Sequence, residues 1–373
     1  MLKLHVVQAE HGDCLMLEYD RPSNPRYILI DGGPATIYEE HLRGKLLEIR
    51  ASGGRLDLAA ASHVDDDHIR GLLDLMTELR QQRDGGAAET IAIGALWHNT
   101  FSQTLGSDIE ARFRMLMEDV VASREVMILS DRMDKSIRQG DQLTQFAAAL
   151  RIPINPEFAS HHLICVDEAP GPIVLGNLSL HVVGPTRENL ERLRKDWLDW
   201  LEKHERDILA RDPTLAERAA READQSIPNL SSIMTLAEAE GKTILLTGDG
   251  RGDHLLQGLD QANLLGPEGR LHVDVLKIPH HGSKRNVTKK FFQTIAADTY
   301  VICANGKHDN PDLDTLKWIV EAAREQGRAI EILVTNTTDS TRQLVEEYAP
   351  DEYGYRLIEM KPGDHAMTLE LAA

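Results

Sequence analysis

Five short apolar runs in this 373-residue chain each stop at a residue able to hold or brace a metal ion. Tyr27–Ile30 runs into Asp31, Leu56–Ala61 into His63, Ile91–Trp97 into His98, Thr243–Leu246 into Asp249, and Val273–Ile278 into His280. Apolar runs of this length between polar turns read as buried strands. Strand ends in α/β folds gather along one sheet edge, so ligands far apart in sequence can meet there. One such ending has little weight. Five restrict the chain to folds that bring strand ends together around a common site.

The rest of the pattern fits two groups of strands with helices between them, an α/β sandwich of two sheets. Further strands are expected at Lys3–Val7, Cys14–Tyr19, Leu163–Val166, Leu178–Val183, Ile233–Leu236, Thr299–Cys303 and Ile330–Val334. Helices are expected over Ile37–Ala51, over much of 105–150, between Asp312 and Gln326, and after Asp65, where Ile69, Leu72, Leu73, Met76 and Leu79 keep helical spacing. The whole of 1–373 reads as one domain. Within it, 187–224 turns sharply charged and reads as a helical insertion broken near Asp212-Pro213 and projecting from the core. Its apolar positions Leu190, Leu193, Trp197, Trp200 and Leu201 suit a lid, a homodimer contact or a protein partner, although a solvated helix is the plainer reading.

The densest chemistry is Ser62-His63-Val64-Asp65-Asp66-Asp67-His68. His63 and Asp65 are two apart, so in extended chain they point the same way, while Asp67 and His68 open the following helix toward the same mouth. Four ligand-type side chains in six residues can serve two adjacent ions; Asp66 alone reads as an ordinary helix cap.

His63-x-Asp65-x-Asp67-His68 resembles the H-x-H-x-D-H signature of the metallo-β-lactamase superfamily, with Asp in the second position. Gly12-Asp13, Ile30-Asp31-Gly32-Gly33, Leu246-Thr247-Gly248-Asp249 and Lys277-Ile278-Pro279-His280-His281-Gly282-Ser283 make it similar to the hydrolase domain of ComEC-type competence proteins. Asn229-x-x-Ser232, Asn305-Gly306 and Asn310-Pro311 extend the likeness over most of the chain outside 105–150 and 187–224. The resemblance implies a four-layer αββα sandwich and two divalent metal ions. It implies His63 and Asp65 on the first, Asp67 and His68 on the second, and Asp249 bridging. His280 would complete the second site and His281 would face the substrate, though the order of the two stays open. Asp67 and His281 would be catalytic, with Asp31 and Asp13 bracing the ligands from behind. The superfamily's middle histidine has no motif here; His98 is the first candidate, with His161, His162 and His181 as alternatives. Asp65 in place of His hardens the donor set, so manganese rivals zinc.

Two such ions activate water and suit phosphodiesters, but equally lactams, lactones and thioesters. A basic run beside His280 points to the first class: Lys277, Lys284, Arg285, Lys289 and Lys290 fall between Val275 and Lys290 without an acid among them. In a chain of net charge −19, Ser283, Lys284 and Arg285 are therefore the expected substrate-binding residues, and nucleic acid is among the expected substrates. A catalytically silent binding module is disfavoured, because buried charges without a use are costly. Three well-separated cysteines, Cys14, Cys165 and Cys303, fit a reducing compartment, and the lack of a signal-like or spanning segment fits a cytoplasmic protein without membrane contact.

Overall fold

A computed structural model describes residues 1–112, 124–158, 162–209 and 231–371. His161 and the break expected near Asp212-Pro213 lie outside them. The chain is mixed α/β, with the strands of the described residues in two sheets. The six-stranded sheet holds β1 (Leu2–Val7), β2 (Leu15–Arg21), β3 (Asn24–Ile30), β4 (Leu56–Ala60), β5 (Leu96–Trp97) and β14 (Ala366–Leu371), in the order β14-β1-β2-β3-β4-β5. The eight-stranded sheet holds β6 (Ile173–Leu175), β7 (Leu178–Gly184), β8 (Met234–Ala239), β9 (Lys242–Leu246), β10 (Leu271–Lys277), β11 (Ile295–Ile302), β12 (Ile330–Val334) and β13 (Tyr355–Glu359), in the order β13-β12-β11-β10-β9-β8-β7-β6.

Period-two alternation sends each strand's side chains two ways. Along β2, Leu15, Leu17 and Tyr19 join a buried cluster that also takes Leu180 and Val182 of β7, Leu246 of β9 and Leu333 of β12. That cluster therefore lies between the sheets. Met16 points the other way, into a second cluster with Leu72, Leu73 and Met76 of the helix Asp66–Asp84. Ile330, Ile332 and Val334 of β12 join a third cluster with Leu316, Ile319 and Val320 of the helix Leu313–Glu325. The strands β9 to β13 pair in parallel, so their C-terminal ends share one edge. The parallel pairs β3–β4 and β4–β5 give the other sheet the same property.

Several expectations need correction. The run Ile91–Trp97 yields only the two-residue β5, because the chain before it merely touches Leu56 through an isolated bridge at Ile93. Around Leu163–Val166 there is no strand but a short 3₁₀ turn, Val166–Glu168. Strands β6, β13 and β14 escaped notice; β14 is short, half-exposed and without a continuous apolar run. The helix Arg187–Leu209 does not stand clear of the body at its start. Leu190, Leu193 and Trp197 are buried, and the Trp197 ring meets Phe101 edge-on at 5.7 Å. Those apolar positions are spent on the chain's own core.

One close approach fixes the helix that carries the ligand motif. Gly71 N–H donates to the Gly33 carbonyl at 3.0 Å, and Gly32 N–H to the His68 carbonyl at 2.7 Å. A Cβ on Gly71 would lie 2.0 Å from the Gly32 oxygen. Gly71→Ala is accordingly expected to destabilise the protein by about 3 kcal/mol or more. Gly44, in the helix Arg43–Ala51, meets nothing within 4 Å, so Gly44→Ala should instead stabilise by about 0.5–1 kcal/mol. Urea denaturation of both variants against the parent checks the pair of signs.

Candidate metal centre

The site forms where the loops after β3, β4, β9 and β10 meet the loop between β1 and β2. After β4, Ser62 and His63 turn the chain into the helix Asp66–Asp84, and Asp65 holds the extended conformation that precedes its first turn. After β9, Gly248 takes a positive φ of 48° and leaves its carbonyl to accept from His280 N–H at 3.1 Å. After β10, His280 and His281 both adopt left-handed backbone, φ 47° and 53°. Such strain in non-glycine residues persists where surroundings over-determine it, and it gathers at functional sites.

These turns bring four imidazoles onto Asp249, with Asp65 and Asp67 beside two of them. Its Oδ1 lies 3.2 Å from His68 Nε2 and 3.4 Å from His281 Nε2, and its Oδ2 lies 3.5 Å from His280 Nε2 and 3.9 Å from His63 Nε2. Asp65 Oδ2 stands 3.8 Å from His63 Nε2, and Asp67 Oδ2 stands 3.6 Å from His281 Nε2. Four overlapping sets could each hold an ion: His63, His68 and Asp249; Asp67, His68 and His281; Asp13, Asp31 and His68; Asp13, Asp249 and His281.

The backs of the imidazoles are fixed. Asp31 accepts from His68 Nδ1 at 2.8 Å and from the Ser62 hydroxyl and amide, both at 2.7 Å. His281 Nδ1 donates to the Cys303 carbonyl at 2.8 Å, which leaves Nε2 facing inward. Lys277, fully buried, forms an ion pair with Asp13 beneath His281.

The fronts are unsatisfied. His63 Nε2, His68 Nε2, His281 Nε2 and Asp249 Oδ1 are buried and make no hydrogen bond. A buried polar atom left unmade costs about 1–3 kcal/mol, so four aimed at one point need an explanation. Imidazole lone pairs converging with carboxylate oxygens are the donor chemistry of a divalent cation, and the residues fit one. Electrostatics agree. Burial holds His63 neutral, with a pKa lowered to about 4, helped by the neighbouring His68. Burial works against protonating His281, yet Asp249 and Asp13 outweigh it and raise its pKa to about 10. His68 is raised likewise, by Asp249 and Asp31 against burial. Without an ion, protons on these rings balance the carboxylates.

Of the residues expected at the site, His63, Asp65, Asp67, His68, Asp249, His280 and His281 come together, with Asp31 and Asp13 behind them. The order of the paired histidines favours the reverse of the expectation. His281 is buried with Asp67, His68 and Asp249, while His280 is more exposed and holds Asn286 Oδ1 at 2.9 Å through Nδ1. His98 is corrected: its Nε2 donates to the Gly140 carbonyl at 3.1 Å, tying β5 to the helix Arg124–Ala149, and it joins none of the four sets. His162 is exposed and His181 lies beside Glu238, outside the sets among the described residues.

The basic run also reads differently in space. Lys277 is consumed by Asp13. Lys284 pairs with Asp314 at 2.9 Å, and Lys289 with Glu321 and Glu325 at 2.8 and 2.7 Å, all acids of the helix Leu313–Glu325. Arg285 is exposed, and the Ser283 hydroxyl is turned back onto the Arg285 amide. Ser62 and Asn286 were missed as bracing residues. Ser62 adjoins the ligand motif, which was a usable signal; Asn286 shows none, because its bond to the Asp249 carbonyl at 3.0 Å is purely tertiary.

No family model and no curated protein matches the chain. Among solved structures it is similar to the crystal structure of a "Putative metal-dependent hydrolase" from Parabacteroides distasonis, with 10% identity, 89% of this chain and 93% of that one covered, and a TM-score of 0.38. Among the described residues no helix is long and apolar enough to cross a membrane.

Metal binding is expected to displace the protons on His68 and His281. Their pKa values are raised, so affinity should climb as pH rises toward about 10, with protons released on titration of metal into weakly buffered protein. Asp249→Ala should abolish stoichiometric binding, whereas His98→Ala should leave metal content unchanged; elemental analysis of the two variants separates a carboxylate at the centre from a packing imidazole.

Proposed function

We propose that the chain is a metal-dependent hydrolase of the metallo-β-lactamase superfamily, a four-layer αββα sandwich with a binuclear centre acting on phosphodiester bonds. The carrying observation is the convergence of unbonded His63, His68 and His281 Nε2 atoms on Asp249. A core between two sheets, flanked by one helix-facing core on each side, supports the fold reading. His63 and Asp65 would hold one ion and Asp67, His68 and His281 the other, with Asp249 shared between them. The ions, zinc or manganese, would supply Lewis-acid activation of water and stabilisation of developing negative charge.

The chain's own residues do the rest. Asp31 fixes the His68 ring by accepting from Nδ1, and the Cys303 carbonyl does the same for His281, so neither ligand must reorganise during reaction. Asn286 orients His280, whose Nε2 faces Asp249 from the open side of the site. That ring is placed to hold a proton at Nε2 and pass it to a departing oxygen. The phosphodiester preference is supported by the ComEC-type motif set.

Purified protein supplied with zinc or manganese should contain two ions per chain and cleave bis(p-nitrophenyl) phosphate and single-stranded DNA. His68→Ala should lose activity on every substrate by about a thousandfold or more, since it removes a ligand. Trace metal only after incubation would overturn the centre. Cleavage of nitrocefin or a lactone with no phosphodiester turnover would overturn the substrate class.

A further inference from the structure

Three of the five cations in the run beside His280, Lys277, Lys284 and Lys289, are spent on carboxylates, which gives weight to a cation outside the run. Two other loops at the site supply it. The Glu10–Asp13 loop presses on the ligand motif: Asp13 N–H donates to the Asp67 carbonyl at 3.2 Å, and a Cβ on Gly12 would lie 2.0 Å from that oxygen. His11, the next residue, therefore stands at the mouth, near enough to feel the charges of Asp67 and His281. The loop after β11 begins at Cys303, which accepts from His281, and returns at Asp312, whose N–H donates to the Gly282 carbonyl at 3.1 Å. The two loops are stitched together. Asn305 Nδ2 donates to Glu10 Oε2 at 2.9 Å, and Lys307 Nζ donates to His11 Nε2 at 2.9 Å.

That last bond distinguishes Lys307 from Lys277, Lys284 and Lys289 of the basic run. Its partner is an imidazole lone pair and not a carboxylate, so this bond does not neutralise the ammonium. Lys284 and Lys289 face carboxylates, whereas Lys307 makes no ion pair among the described residues. The nearby acids are Glu10, which accepts from Asn305, and Asp309 on the exposed turn, and neither forms an ion pair with Lys307 among the described residues. An ammonium has three donors, and one held by His11 leaves two for a ligand oxygen.

We infer that Lys307, steadied on His11 at the mouth of the metal centre, recognises the substrate's anionic group, which makes a negatively charged phosphodiester the preferred class. The inference rests on the hydrolase reading above and adds to it the residue that selects charge. His11 is a positioning residue; Lys307 makes the contact. Because both loops also brace Asp67 and His281, the anion would be held beside the centre.

The test uses full-length protein loaded with manganese and compares Lys307→Gln with the parent in two measurements. The first is the ratio of kcat/KM for bis(p-nitrophenyl) phosphate to that for uncharged p-nitrophenyl acetate. The second is calorimetric titration with inorganic phosphate at two salt concentrations. Loss of one charge-assisted hydrogen bond should lower the ratio roughly tenfold, through KM, and weaken phosphate binding by a similar factor with a flatter salt dependence. Lys307→Glu should go further in both. An unchanged ratio with unchanged phosphate affinity would overturn the inference, as would a parent that binds no phosphate. If the parent turns over nothing yet Lys307→Gln weakens phosphate, the hydrolase reading fails and the anion site stands. If the diester is cleaved with the same KM by both, the reverse holds.

Discussion

Carboxylates buried together repel one another, and the centre of this molecule buries Asp13, Asp31 and Asp249 with Asp67 at their edge. An uncompensated buried charge costs several kcal/mol even after relaxation. The surroundings are arranged to supply positive charge. Lys277 does so permanently, pairing with Asp13 from the end of β10, while Asp13 belongs to the loop between β1 and β2. That single pair links the two sheets at the point where their loops meet. His68 and His281 supply the remainder when protonated, and a divalent cation would supply it more directly. Architecture and chemistry thus share one requirement: negative charge fixed at the sheet edges must be met by something cationic between them.

Much of this was legible in the sequence because it is local. Apolar runs ending at Asp31, His63 and Asp249 are short-range patterns, and strand ends must emerge somewhere along an edge. The spacing of His63, Asp65, Asp67 and His68 across a strand-to-helix turn is likewise a local fact. His98 shows the limit of such reasoning. It too ends an apolar run, but β5 is two residues long and the imidazole's Nε2 is taken by a carbonyl of a helix some forty residues on, Gly140. Whether a polar residue at a strand end faces the site or the packing behind it depends on the partner, which sequence spacing does not specify.

Charge was the least legible property. The stretch from Lys277 to Lys290 contains no acid in sequence, yet Asp314, Glu321 and Glu325 line up against Lys284 and Lys289 from a helix that follows later in the chain. Electrostatic potential is a sum over space, and neighbours in space here come from a different element. Lys307 is the converse case: an isolated lysine in a turn, unremarked by composition, whose position beside His11 only the meeting of two loops creates.

The six-stranded sheet carries a further consequence for how the molecule is made. Its order sets β14 against β1 in antiparallel register, Leu2 opposite Leu371 and Val7 opposite Ala366. One edge of β1 is therefore covered by a strand far from it in sequence, and the backbone donors along that edge stay open until β14 docks. Pairings this distant in sequence are slow to close. Until β14 docks, the β1–β2 hairpin presents an open edge, a template for association with other chains. Completion of this sheet requires β14 to reach β1, and the same sheet, through the loop carrying Asp13, helps to frame the centre.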